Sequence, residues 1–293
     1  MKKGDKRAVI LAGGISSRMK SPAGEARLDA ELIKQAEERT KGMISVGEGG
    51  RPFLDYLLYN MKKASIDDVV IVVGEKDEVL RQYYGLKDKD NNFHGLRITY
   101  AIQRIPDGRK KPMGTSDALM QALLVRPDWK GGDFIVCNSD NLYSVRVFMM
   151  LLDCDAPNAL IDYDRSGLEF TETRIAQFGI TKKDSDGYLL EIVEKPPLEE
   201  LERLRSADGS LRVSMNIFRL NYEMIFDPLR DCPESPVRRE KELVTAVTAM
   251  VKLHPRSLKA LPLKEHVPDL TYKDDIAVTS EYLRKHFSTF DWK

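Results

Sequence analysis

Short apolar runs alternate with stretches in which apolar residues recur every three or four positions, and this alternation fills the first half of the chain. The apolar runs are "RAVILA" (7–12), "DVVIVVG" (68–74), "LRITYAI" (96–102) and "DFIVCNSD" (133–140). Between them lie "LDYLLYNMKKA" (54–64), "DEVLRQYY" (77–84) and "TSDALMQALLV" (115–125), with helical spacing such as that of Leu54, Leu57, Leu58 and Met61. Strands that are apolar throughout and separated by helices indicate a parallel sheet covered on both faces. The pattern therefore predicts a doubly wound α/β domain.

The second half changes character. "ALIDYD", "AQFGITKKD", "GYLLEIVEKPP" and "LRVSMNIFRL" read as strands joined by turns. "KELVTAVTAMV" (241–251) is helical, "SLKALPL" (257–263) is a strand, and "TYKDDIAVTSEYLRKHF" ends in a helix. Neither a repeat nor a low-complexity tract interrupts the chain. One segment stands out: residues 21–40 carry "LDAELIKQAEERT", a charged amphipathic helix inserted between a glycine-rich loop and the next strand. The 293 residues fit a single α/β domain.

Charge excludes some partners. Lys+Arg and Asp+Glu both number 46, so bulk charge draws the chain neither to nucleic acid nor to an anionic membrane. No apolar run reaches the length of a membrane span, and "AVILA" is too short for a secretory apolar region. Cys137, Cys154 and Cys232 are widely spaced and odd in number, which argues against a zinc site and a disulfide framework. A cytoplasmic chain with reduced cysteines is expected. The histidines at 94, 254, 266 and 286 lack metal-like spacing and read as surface residues.

The candidate chemistry starts at "VILAGGISSRMK" (9–20), where a buried strand runs into a glycine-rich turn followed by Arg18 and Lys20. It is neither the dinucleotide fingerprint nor the common phosphate loop. Glycines there still let backbone N–H groups face an anion. "LAGGISSRM", followed by "TKGMISVGEGGRPFLDYLL", resembles the opening of the sugar-phosphate nucleotidylyltransferases. The resemblance continues in order through Gln103 in "YAIQ", "GTSDALMQAL", "IVCNSDN", "FGI", "IVEKPP" and "EHVPDLTYKDDI", covering roughly residues 7–276. Ser16-Ser17, the 21–40 insertion, Ser139 in "NSDN" and the loss of a tryptophan and a glycine from the last motif depart from the family pattern.

That resemblance implies a Rossmann-like three-layer α/β/α sandwich with a mixed, mostly parallel sheet. Residues up to about 145 would form a nucleotide-binding half and the rest a sugar-phosphate-binding half. It also implies Mg²⁺-dependent transfer of a nucleotidyl group from an NTP to a sugar 1-phosphate, whose two anionic reactants call for gathered positive charge more than for covalent catalysis. Arg18 and Lys41 would act on the triphosphate, and Leu11, Ala12, Gly13, Gly14, Gln103, Gly114 and Thr115 would frame the nucleotide. Asp140 and Asp269 would hold Mg²⁺, which favours hard oxygen ligands, with Asp274 and Asp275 as nearby competitors. Asn141, Gly179, Glu194, Lys195 and Asn216 would meet the sugar phosphate. The insertion would be a flap near the triphosphate or an oligomer contact. Transfer of CMP or GMP to a non-sugar phosphate is one alternative; a nucleotide-sensing protein without turnover is another.

Overall fold

The computed structural model of the chain describes residues 6–21, 29–196, 198–206 and 208–292. In chain order its strands are β1 (Arg7–Leu11), β2 (Asp68–Gly74), β3 (Asn91–Phe93), β4 (Leu96–Gln103), β5 (Asp133–Asn138), β6 (Asn158–Asp164), β7 (Gly179–Lys183), β8 (Leu189–Val193), β9 (Arg212–Asn221) and β10 (Leu258–Leu263). The helices are α1 (Ala30–Glu38), α2 (Phe53–Lys63), α3 (Glu78–Tyr84), α4 (Thr115–Val125), α5 (Val145–Asp153), α6 (Glu172–Ile175), α7 (Tyr222–Arg230), α8 (Leu243–Leu253) and α9 (Asp275–His286). They fall into two compact units. One comprises residues 1–112, 138–145 and 268–293; the other comprises 113–137 and 146–267. Among the described residues no helix is long and apolar enough to cross a membrane.

In the first unit β2 lies between β1 and β4, parallel to both, and β3 adds an antiparallel edge. The buried β-branched run of β2 explains its central place: a strand with neighbours on both sides and cover on both faces must be apolar at every position. Parallel pairing sends the carboxyl ends of β1, β2 and β4 to one edge, where open α/β sheets bind ligands. Helix α1 begins at Asp29, whose side chain accepts the Leu32 N–H at 2.8 Å. The last residues return to this unit. Phe290 stacks on Tyr59, Trp292 stacks on His94, and the Trp292 carbonyl accepts from Arg51 at 2.8 Å.

In the second unit β9 pairs antiparallel with β5, β6 and β7, β7 pairs with β8, and β10 runs parallel to β6. Strand β9 reaches so many partners by bending. Leu160 faces Phe218 while Asp162 faces Ser214, so residues 215–217 oppose Ile161 alone. Asn216 sits in that bulge with φ 55°, exposed in a strand otherwise largely buried.

Helices α5, α6 and α7 and strand β3 add to the elements expected from the pattern. Pro228 inside α7 masks that helix in the sequence, because a proline usually ends one. Strand β3 has only three residues, too few to show a period. His266 also differs from its expected surface position. It packs against Phe170 with ring centroids 4.9 Å apart, and its Nδ1 accepts the Glu169 N–H at 3.1 Å. Residues 22–28 of the insertion lie outside the described residues.

Candidate active site

The carboxyl edge of the first unit gathers much of the expected chemistry. Strand β1 ends at Leu11, whose carbonyl accepts the Ser139 N–H at 3.2 Å, and the Ala12 N–H donates to Val72 at 2.9 Å. Gly13 is pressed against Gln103: a Cβ there would stand 3.0 Å from the Gln103 Oε1. A side chain at position 13 would have to push that buried amide aside by a few tenths of an ångström. A Cβ at Gly14 would meet nothing within 4 Å, so packing does not demand glycine there.

Lys41 and Asp140 form an ion pair, Nζ to Oδ2 2.7 Å, with side chains 11% and 22% exposed. Residues 140–142 pair antiparallel with 268–270. The Leu142 N–H donates to Pro268, the Leu270 N–H donates to Asp140, each at 2.9 Å, and Asn141 stands opposite Asp269. This bridge brings the "NSDN" and "VPDL" segments together although nearly 130 positions separate them in the sequence. Asp269 is buried and accepts from the Thr271 hydroxyl at 2.5 Å. The Nδ2 of buried Asn141 has no hydrogen-bond acceptor among the described residues.

Of the two competitors, Asp275 is committed elsewhere. One of its oxygens accepts the N–H groups of Thr271 and Tyr272, at 2.8 and 2.7 Å, and shapes the turn that leads into α9. Arg18 is exposed, with its guanidinium 5.9 Å from the centre of the Tyr272 ring. Helix α1 is tied to both flanks of this edge. Gln35 Oε1 accepts the Ser45 N–H at 2.9 Å, and Glu37 takes the buried Lys273 ammonium at 2.9 Å.

The donor set suits Mg²⁺. Asp140 and Asp269 offer hard carboxylate oxygens from adjoining backbone segments. Among the described residues no cluster of three or more His, Cys, Asp or Glu forms. Two carboxylates with the remaining positions left to water and phosphate oxygens is the common arrangement for this ion.

The second unit carries the other expected residues. Gly114, with φ 113°, abuts the backbone of Lys241: a Cβ would lie 2.5 Å from that carbonyl. The Thr115 hydroxyl, expected to frame the nucleotide, accepts the Leu243 N–H at 2.9 Å and so ties the start of α8 to the start of α4. Gly179 abuts β8, where a Cβ would sit 2.6 Å from the Ile192 Cγ2 and 3.9 Å from the Glu194 Cγ. Lys195 follows with φ 47°. Left-handed backbone is uncommon for lysine, and such conformations gather at functional sites. Of the "EKPP" motif, Pro197 lies outside the described residues.

The motifs did not point to Glu242. It begins α8, yet its carboxylate makes no capping hydrogen bond to that helix. Arg238 Nη1 stands 3.1 Å from its Oε1 as an ion pair, and burial, followed by the charge of Glu194, pushes its pKa up. Nothing in the spacing of 194 and 242 signals that proximity; it exists only once β8 and α8 are packed.

The chain is similar to known proteins. It matches the nucleotidyl transferase family over residues 30–265. It is 29% identical over 164 residues to a D-glycero-alpha-D-manno-heptose 1-phosphate guanylyltransferase of Campylobacter jejuni, covering 55% of this chain and 61% of that protein. A protein of the same name from Aneurinibacillus thermoaerophilus is 28% identical over 138 residues, 47% of each chain. The matches thus span about half to three-fifths of these relatives. A UTP–glucose-1-phosphate uridylyltransferase of Haloferax volcanii is 25% identical over 189 residues, 64% of this chain and 65% of that protein. Among solved structures, a UDP-glucose pyrophosphorylase complexed with UDP-glucose superposes with a TM-score of 0.68 at 14% identity, covering 96% of this chain and 99% of the other. At that identity the likeness establishes the α/β nucleotidyltransferase fold alone.

Proposed function

Since this chain belongs to the nucleotidyl transferase family, we propose that it joins an NTP to a sugar 1-phosphate, releasing pyrophosphate and forming an NDP-sugar. The observation that carries this reading is the backbone bridge between Asn141 and Asp269 beside the Lys41–Asp140 pair. It brings a cation, two carboxylates and an unpartnered amide donor to the carboxyl edge of a parallel sheet. The similar relatives named for guanylyl and uridylyl transfer to sugar phosphates favour the same class. They differ in base, so the base stays open.

An oxygen of the sugar phosphate attacks the α-phosphorus, the bond from that phosphorus to the bridging oxygen breaks, and pyrophosphate carries the electron pair away. In this reading Arg18 and Lys41 hold the triphosphate and the leaving group, and Leu11, Ala12, Gly13, Gly14, Gln103, Gly114 and Thr115 border the nucleotide. Asn141, Gly179, Glu194, Lys195 and Asn216 hold the sugar phosphate. Asp140 and Asp269 would hold Mg²⁺, which when bound supplies charge neutralisation at phosphate oxygens. Reduced cysteines support a cytoplasmic setting.

Pyrophosphate release is measured across four NTPs and a panel of sugar 1-phosphates, with phosphocholine as a non-sugar acceptor and EDTA as a control. Release with one NTP and one sugar phosphate, abolished by EDTA, is expected. Release with phosphocholine alone, or nucleotide binding without turnover, would overturn the reading.

A further inference from the structure

The turn that carries Lys41 is too short to hold itself. It spans only Lys41–Met43, and Thr40 before it makes no side-chain cap. Helix α1 supplies what the turn lacks. Gln35 is buried; its Oε1 accepts the Ser45 N–H at 2.9 Å, and its Nε2 donates to Glu31 at 3.0 Å. The second bond fixes which end of the amide faces Ser45. Arg39 Nη1 donates to the Met43 carbonyl at 3.5 Å. On its inner side the turn lies against the segment of Asp140: a Cβ at Gly42 would stand 3.4 Å from the Ser139 carbonyl oxygen.

The other end of α1 is tied as well. Glu37 takes the buried Lys273 ammonium, which follows the segment of Asp269. That segment is bridged in turn to residues 140–142. These links close a ring. It runs from Lys41 to Asp140 by the ion pair, across the backbone bridge to Asp269, through Lys273 to Glu37, and along α1 to Gln35 and back to the turn. Lifting α1 would strand a buried ammonium and a buried amide together. An element that opened in every turnover would meet that cost each time.

We propose that Gln35 is a positioning residue: through the Ser45 N–H it fixes the turn from which Lys41 reaches the triphosphate. The helix of the insertion is then a permanent brace of the site and not a flap. This rests on the reading of the chain as a sugar-phosphate nucleotidyltransferase with Lys41 on the triphosphate. Without the Gln35 acceptor the turn drifts, and misplacing a charged group by about 1 Å can cost up to about 10²-fold in rate.

The test is a double-mutant cycle between Gln35→Leu and Lys41→Ala in the full chain. Calorimetric titration with each of the four NTPs, without sugar phosphate, reads binding; steady-state kinetics reads kcat and both KM values. Gln35→Leu is expected to weaken NTP binding and to lower kcat, each about tenfold, and to leave the KM for sugar 1-phosphate unchanged. Added to Lys41→Ala it is expected to change neither quantity by more than about twofold, because the group it positions is gone. Gln35→Glu combined with Glu31→Gln keeps an acceptor for Ser45 and a donor at position 31, and should restore native values. If Gln35→Leu does not fold, Lys273→Met releases the other end of α1 and should show the same non-additivity with Lys41→Ala. Losses that multiply in the double variant, or native behaviour of a folded Gln35→Leu, would overturn the positioning role. So would amide-exchange protection of residues 30–38 that rises when NTP binds, the mark of a flap. Non-additive NTP binding without transfer to any sugar phosphate would sink the proposed function and leave the brace standing. Transfer with multiplying losses would do the reverse, and binding of none of the four NTPs would end both.

Discussion

Lys41 and Asp140 meet in a 2.7 Å ion pair although 99 positions separate them. The lysine follows the insertion, in a short turn at residues 41–43, and the aspartate follows β5. Asp140→Asn keeps the shape of the side chain and removes its charge. It is expected to fold with an unchanged circular dichroism spectrum and to lose about 10²-fold or more in kcat, comparable to the loss of one preorganised stabilising group. Activity within a few fold of native in the folded variant would remove Asp140 from the chemistry.

Lys195 combines a charge with left-handed backbone, φ 47°, and the two are separable. Lys195→Ala should raise the KM for the sugar 1-phosphate and leave that for NTP nearly unchanged. Lys195→Gly should show the same KM defect with higher thermal stability than Lys195→Ala, since glycine accepts that φ without strain. Steady-state kinetics and melting curves of both variants check this. A rise in the KM for NTP alone would reassign the lysine.

Lys273 is 4% exposed and pairs with Glu37 of α1, itself 52% exposed. Removing the acid strands a buried ammonium, whereas removing the lysine frees a carboxylate that water can reach. Glu37→Ala is therefore expected to cost about 1–2 kcal/mol, reduced from the fully buried case because Glu37 is half in solvent. Lys273→Met is expected to be near neutral. Urea unfolding of both variants measures the asymmetry, and equal losses would contradict it.

His266 has its pKa lowered below 6.5, first by burial, with Glu169 opposing and Arg174 reinforcing the shift. As pH falls through 6.5 the unfolded chain takes up this proton before the folded one does. The stability that neutral His266 provides is therefore present above that pH and is lost on acidification. Between about pH 7.5 and about pH 5.5 the native melting temperature should fall more than that of His266→Gln, which cannot titrate. Differential scanning fluorimetry at the two pH values decides it, and parallel falls would remove His266 as a contributor.

The sequence disclosed β1, β2 and β4 because buried parallel strands write themselves as unbroken apolar runs. The helix in the insertion was legible from its period, matching α1. Helix α7 stayed hidden behind Pro228, and β3 behind its brevity. Individual motifs located Lys41, Asp140 and Asp269, but the bridge that joins their segments is a product of tertiary packing. Glu242 shows the same limit more sharply. A glutamate before a helix reads as a cap, and only the fold leaves it without a capping bond and pairs it with Arg238.

The assignment of residues 268–292 to the first unit has a consequence for biosynthesis. On the ribosome, β1, β2 and β4 emerge before the second unit, but the segment that carries Asp269 and the aromatic residues that clasp Tyr59 and His94 emerges after it. The first unit thus waits, incomplete, while the whole of the second is made. Contacts of such long range close slowly and leave apolar surface open in the interval. The carboxylates that would hold Mg²⁺ are likewise both present only after the second unit has been made, so a nascent chain stalled before residue 268 would lack one of them.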